Sequence, residues 1–169
     1  MDNREFYLEQ FKVLKTEELT RIGFRDNMIY ISLVAIGTVF AFCLQKPEYD
    51  FGLLVLPFFC IIMGWTYFNN DKKVNTIGAY LNKHLIPILK DNDEVCSWGE
   101  FRKLEVDRIE RKSIQLGVDI SLFCLSSSVS IFAFFINHGE TNWFYPLVAV
   151  IEFICIFYLA TLFCKNYST

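Results

Sequence analysis

Residues 143–164 read WFYPLVAVIEFICIFYLATLFC, and this stretch decides the class of fold. A helix rises about 1.5 Å per residue, so about 20 apolar residues cross a hydrocarbon core of about 30 Å. Hydrophobic residues make up 53% of the 169 residues, which argues against an ordinary soluble domain. The sequence therefore predicts an all-α polytopic membrane protein. Its four transmembrane helices are predicted in two hairpins, at 27–45, 51–70, 113–139 and 141–164.

The distribution of Lys and Arg predicts the orientation of these spans. Basic residues lie before the first span, between the second and third, and after the fourth, whereas only Lys46 lies in a loop on the other side. Because Lys and Arg collect in cytoplasmic loops, both termini are predicted to be cytoplasmic. The predicted organisation is a cytoplasmic amphipathic helix (1–26), a transmembrane hairpin (27–70), a cytoplasmic helical hairpin (71–112), a second transmembrane hairpin (113–164) and a short cytoplasmic tail (165–169).

The cytoplasmic segments have helical periodicity. Apolar residues of the first segment, from Tyr7 to Ile22, fall on one broad face, and packing against a neighbouring cytoplasmic helix is favoured over lying on the inner leaflet. Apolar residues from Val74 to Ile88 keep the same spacing, so the second span is predicted to continue as a helix into the cytoplasm. Pro87 is expected to disturb its last turns.

No catalytic motif is present in the sequence. It has no Gly-rich phosphate loop, no nucleophile elbow and no H-E-x-x-H pair. The six Cys form no C-x-x-C pair, and His84 and His138 are predicted on opposite sides of the membrane. We therefore predict no enzymatic activity, no cofactor and no metal site.

Polar residues within the spans are the candidate functional positions. Glu152 lies near the middle of the fourth span, and the third contains a polar stripe at about 100° per residue. Three alternatives remain open for Glu152: a protonated carboxyl that holds helices together, a pore or proton-linked path, or exposure to lipid. The predicted pore or buried polar residues are Glu152, Asp119, Ser126, Ser127, Ser130 and Asn137.

Small residues predict close helix contacts at Gly37 with Ala41 and at Cys60 with Gly64. Four helices enclose little interior, so a conduit would require a homo-oligomer such as a tetramer.

The central cytoplasmic segment is rich in basic residues that could bind an anionic nucleotide or a nucleic acid. Eight acidic residues in 71–112 nearly cancel this charge, however, so a solvated helical hairpin near lipid head groups is the favoured alternative. The candidate ligand or partner contacts are Lys72, Lys73, Lys83, Arg102, Lys103, Arg108, Arg111 and Lys112.

Two segments carry a resemblance to a known group of proteins: YLEQFKVLKTEELTRIGFRDN (7–27) and FNNDKKVNTIGAYLNKHL (68–85). Together with the four-span layout they resemble small bacterial inner-membrane proteins of antiphage defence loci, such as the membrane subunits of the Kiwa and Hailong systems. The resemblance implies an oligomeric component that works with a cytosolic protein partner. In the Hailong type it also implies ion conduction under control of a nucleic-acid signal.

Two functions are therefore expected. The first is a channel-like effector, gated through its cytoplasmic helices. The alternative is a membrane sensor or scaffold subunit that anchors and regulates a cytosolic defence partner without conducting ions.

Overall fold

The computed structural model describes residues 3–45, 49–89, 108–137 and 142–168, and these residues are helical almost throughout, without a strand. The all-α prediction is confirmed. The helices are α1 (Asn3–Gln45), α2 (Phe51–Tyr80), α3 (Ile86–Leu89), α4 (Arg108–Asp119), α5 (Ser126–Asn137) and α6 (Phe144–Ser168). π-Helical segments join α2 to α3 (Leu81–Leu85) and α4 to α5 (Ile120–Leu125).

Within the described ranges, four helical stretches are long and apolar enough to cross a membrane, which agrees with the predicted number of spans. Large apolar side chains such as Val34, Phe132 and Phe157 lie strongly exposed on the outside of the bundle. Soluble monomers rarely expose apolar surface on this scale, so the exterior is suited to a lipid environment. The four stretches are Arg4–Cys43, Phe51–Leu89, Lys112–Asn137 and Phe144–Tyr167.

Helix α1 runs without a break through its 43 residues, so the predicted amphipathic helix and first span form one rod. No proline interrupts it, and Gly23 has open space around its Cα. At about 1.5 Å per residue the rod is about 65 Å long, roughly twice the thickness of a hydrocarbon core. The stretch Phe51–Leu89 has 39 residues and likewise exceeds this thickness.

The parts of these two helices that extend beyond the bundle pack together in antiparallel fashion. A carboxylate oxygen of Glu18 lies 3.6 Å from the position that a Cβ on Gly78 would occupy. The amide of Asn70 donates to the backbone oxygen of Arg21 at 2.8 Å. We call this paired region, residues 3–26 and 71–89, the stalk. Pro87 is the second residue after the π-helical segment of the stalk, as expected for a residue that cannot donate a helical hydrogen bond.

The bundle interior is aromatic and closely packed. Tyr67, Phe123 and Phe163 contact one another with ring centroids 5.5, 6.3 and 6.2 Å apart. Gly64 makes this packing feasible, because a Cβ there would lie 2.7 Å from Leu159 and 3.1 Å from Phe123. A Cβ added at the other predicted small-residue position, Gly37, would meet no packed neighbour within 4 Å. The Gly64 face therefore packs inside the subunit, whereas the Gly37 face is open.

Candidate functional site

A buried carboxylate at Asp71 connects three helices where the stalk meets the bundle. Its Oδ1 accepts from Nη1 of Arg25 on α1 at 3.1 Å. Its Oδ2 accepts from Nδ2 of Asn75 and of Asn166, each at 3.1 Å, and Asn166 lies in the last turns of α6. Asp71 is only 6% exposed, so the Arg25 ion pair is partly shielded from water and is stronger than a surface pair.

A second buried carboxylate, Asp119 at the end of α4, lies next to the first. Nε2 of Gln115 donates to its Oδ1 at 2.9 Å and contacts the Tyr67 hydroxyl at 2.9 Å. The Tyr167 hydroxyl donates to Oδ2 at 2.8 Å. Since Asn166 and Tyr167 are consecutive, α6 contacts both acids with adjacent residues.

We call this set the junction cluster: Arg25, Tyr67, Asp71, Asn75, Gln115, Asp119, Asn166 and Tyr167. It contains side chains from α1, α2, α4 and α6, and so it ties all four long helices together at one level. Each carboxylate accepts from at least two donors. Satisfied polar networks in a water-poor interior hold helices in a defined arrangement. The hydrogen bonds of the junction cluster therefore hold the helices together, and both carboxylates are engaged in them.

Glu152 has the opposite environment. It lies on the inner face of α6 together with Ala149, Ile156, Leu159 and Phe163, at alternating spacings of three and four residues. The side chain is 0% exposed, and neither carboxyl oxygen has a hydrogen-bond partner among the described residues. A buried polar group without a partner is costly, so packing alone does not explain an acid at position 152.

The serines of the third span are engaged with the backbone. Ser127 donates to the oxygen of Phe123 and Ser130 to that of Leu53, both at 2.6 Å. Half-buried Ser126 donates to the oxygen of Leu122. None of them contacts the carboxyl of Glu152 by a hydrogen bond, since that carboxyl has no partner in the described structure.

The predicted polar stripe is rotated by the π-helical segment. Asp119, Ser127 and Ser130 are fully buried, Ser126 is half-buried, and Asn137 is exposed at the end of α5. A π-helical turn contains an extra residue, which rotates the rest of the helix by about 100°. Ser127 therefore takes the inward position that a regular helix assigns to Ser126.

Among the predicted basic residues, the structure describes four side chains, and three of these lie on one helical stretch. Lys72, Lys73 and Lys83 are exposed along α2 and the segment after it, and Lys112 is half-buried on α4. Arg102 and Lys103 lie outside the described residues, and for Arg108 and Arg111 the described part is the backbone of α4. Among the described residues, no group of three or more His, Cys, Asp or Glu could hold a metal ion.

Of the junction cluster, the sequence-based predictions include only Asp119. They place Arg25 and Asp71 in solvated cytoplasmic segments and Tyr167 in a tail. One signal is present in the sequence: Tyr67, Asp71 and Val74 recur at helical spacing, so an acid shares a face with buried apolar residues. Comparison with family models, with curated proteins and with solved structures found no match to the chain.

Proposed function

We propose that the chain is a sensor or scaffold subunit of the bacterial inner membrane, with both termini cytoplasmic. In this role the four-helix bundle is the anchor, and the stalk holds and regulates a cytosolic protein partner. One observation carries the proposal: α1 and α2 continue unbroken from the bundle into the stalk, and the junction cluster ties them there to α4 and α6.

The close packing of the bundle interior supports the role of the bundle as an anchor. The buried polar side chains predicted as pore-lining, Glu152, Ser127 and Ser130, are 0% exposed within one subunit. An axis between subunits would be lined by residues on the outer surface of the bundle, where these three do not lie. Aromatic rings fill the space beside them. A role in antiphage defence rests on the resemblance of segments 7–27 and 68–85.

A second candidate is the channel-like oligomer, and the carboxyl of Glu152 is the observation that favours it. Acids within membrane spans normally face a partner, water or an ion pathway. Here the carboxyl has no partner among the described residues, so a rearranged bundle that admits water would satisfy it. In that state, Glu152 would set ion selectivity.

Ion flux separates the two candidates. The purified protein is reconstituted in vesicles loaded with an ion-sensitive dye, beside empty vesicles and vesicles with Glu152→Gln. The sensor or scaffold role predicts flux equal to that of empty vesicles. Flux that increases with protein amount and changes ion preference in Glu152→Gln would establish the channel instead.

Photo-crosslinking in cells tests the partner directly. A crosslinking amino acid is introduced at Val13, which is 62% exposed on the stalk, or at Val34, which is 69% exposed on the bundle. We expect a discrete cytosolic protein at the first position and none at the second. Absence of a cytosolic product at Val13 and at other exposed stalk positions would refute a partner-holding stalk.

A further inference from the structure

A lateral groove of about 430 Å³ lies between α2 and α6 on the outside of the bundle. Its walls include Ile61, Ile62 and Trp65 on α2, and Ile154, Tyr158 and Leu159 on α6. Ile62 and Ile154 are 65% and 64% exposed, so the groove opens outward along the apolar faces of two candidate spans. Its lining is suited to hydrocarbon.

The polar atoms around the groove do not favour a polar occupant. Thr66 also lines it, but its hydroxyl donates to the backbone oxygen of Ile62 at 2.8 Å and is thereby satisfied. The remaining hydroxyl is that of Tyr158, whose ring stacks on Trp65 with centroids 6.3 Å apart and an interplanar angle of 23°. This pair bridges the two walls. Trp and Tyr prefer the level of the membrane where hydrocarbon meets polar groups.

Two helical turns beyond the aromatic pair, basic residues follow on both walls. Lys72 is seven residues after Trp65, and Lys165 is seven residues after Tyr158. Seven residues advance a helix by about 10 Å and rotate it to within about 20° of the starting direction. Both lysines are exposed, and both stand above the groove on the side towards the stalk. Lysine side chains extend along apolar surface to bring their ammonium groups to the membrane boundary.

The geometry points to a binding site for one anionic phospholipid between α2 and α6. An acyl chain occupies the groove, the Trp65–Tyr158 pair lies beside the start of that chain, and Lys72 and Lys165 bind the phosphate headgroup. Basic residues between membrane helices on the cytoplasmic side recognise anionic headgroups in this way. The groove is apolar, and a lysine lies at the same level above each of its two walls. A lipid with an anionic headgroup matches both features, whereas an apolar helix from a second copy would match only the groove.

This inference rests on membrane insertion, one part of the proposed function, and is independent of the sensor role. A chain that does not insert will not reconstitute in vesicles, so that failure is distinguishable from failure of the lipid site.

Tryptophan quenching tests the site. Trp65 becomes the sole tryptophan in a Trp98→Phe, Trp143→Phe background, reconstituted in phosphatidylcholine vesicles. Phosphatidylglycerol or phosphatidylcholine with brominated acyl chains is then added at equal mole fraction. We expect stronger quenching by the brominated phosphatidylglycerol, because bromine in the groove contacts the indole. The preference should fall at about 0.5 M salt, because charge interactions are strongly screened at such concentrations.

Substitutions assign the preference to the two lysines. Lys72→Gln and Lys165→Gln should each reduce the relative binding constant of phosphatidylglycerol by about fivefold. Lys83→Gln is the matched control: it removes an exposed lysine of the same helical stretch about 27 Å beyond Trp65, and should leave the preference unchanged.

Equal quenching by both lipids in the parent would overturn the headgroup site, as would a preference that survives loss of both lysines. Quenching by neither lipid would show that protein fills the groove, and would also refute the proposal. If the tryptophan substitutions impair folding, the thermal stabilisation of the unsubstituted chain by added phosphatidylglycerol over phosphatidylcholine gives the same comparison.

Discussion

Replacing Glu152 with leucine should stabilise the folded bundle. The carboxyl is fully buried, and neither oxygen has a hydrogen-bond partner among the described residues. Leaving a buried polar group unsatisfied costs about 1–3 kcal/mol, and leucine fills a comparable volume without that group. Its neighbours on α6, Ile156 and Leu159, are apolar and buried. Glu152→Leu should therefore raise the free energy of unfolding by about 1–3 kcal/mol.

Asp119 supplies the matched contrast, because it is equally buried but accepts hydrogen bonds from Gln115 and Tyr167. Asp119→Leu removes both bonds and leaves one N–H of Gln115 and the Tyr167 hydroxyl without this acceptor. It should lower the free energy of unfolding by about 2–5 kcal/mol. Glu152→Gln keeps two polar atoms without partners, so its stability should stay within about 1 kcal/mol of the parent.

The assay is unfolding by sodium dodecyl sulfate in mixed micelles, followed by circular dichroism and compared among the three variants and the parent. Destabilisation of about 1 kcal/mol or more by Glu152→Leu would refute the reasoning, because it would show that the carboxyl has a partner in the folded protein. A more stable Glu152→Leu protein that loses its cellular activity would show that the acid is retained for function at the expense of stability.

Three further experiments give independent checks. Gly64→Ala should destabilise by about 1–3 kcal/mol, since its Cβ would lie 2.7 Å from Leu159; Gly37→Ala, with open space, should be neutral or slightly stabilising in the same titration. Arg25→Met should increase protease cleavage of the stalk while the bundle resists, because it breaks the 3.1 Å pair with Asp71. Cysteines introduced near Glu140 should react with membrane-impermeant reagents on intact cells, and those near Asp93 should be protected; the reverse pattern would invert the orientation.

The helical spans were predictable because each depends on a local property, a run of apolar residues of sufficient length. The sequence did not predict that α1 is one continuous helix. Its pattern changes from amphipathic to uniformly apolar near Asn27, but such a change reports the environment of the side chains and not a break in the backbone. The inward position of Ser127 depends on one extra residue in the π-helical segment, which an ideal helical repeat cannot show.

The junction cluster was not predictable because its members are far apart in the sequence. Arg25 and Asp71 are 46 residues apart, and each alone resembles a solvated charge at the end of a span. Only the antiparallel pairing of α1 with α2 makes them partners. The burial of Glu152, by contrast, follows from its spacing to Ala149 and Ile156 on one helix, although its lack of a partner depends on every neighbouring helix.

The unbroken α1 has a mechanical consequence. Asn3 lies 22 positions before Arg25 on one continuous helix, which gives a lever arm of about 33 Å. A tilt of about 10° around the Arg25–Asp71 pair would sweep the far end through about 6 Å, on the rise per residue of a rigid helix. Under the proposed function, a disturbance in the bundle too small to alter its packing would thus be magnified into a displacement that the proposed cytosolic partner can detect.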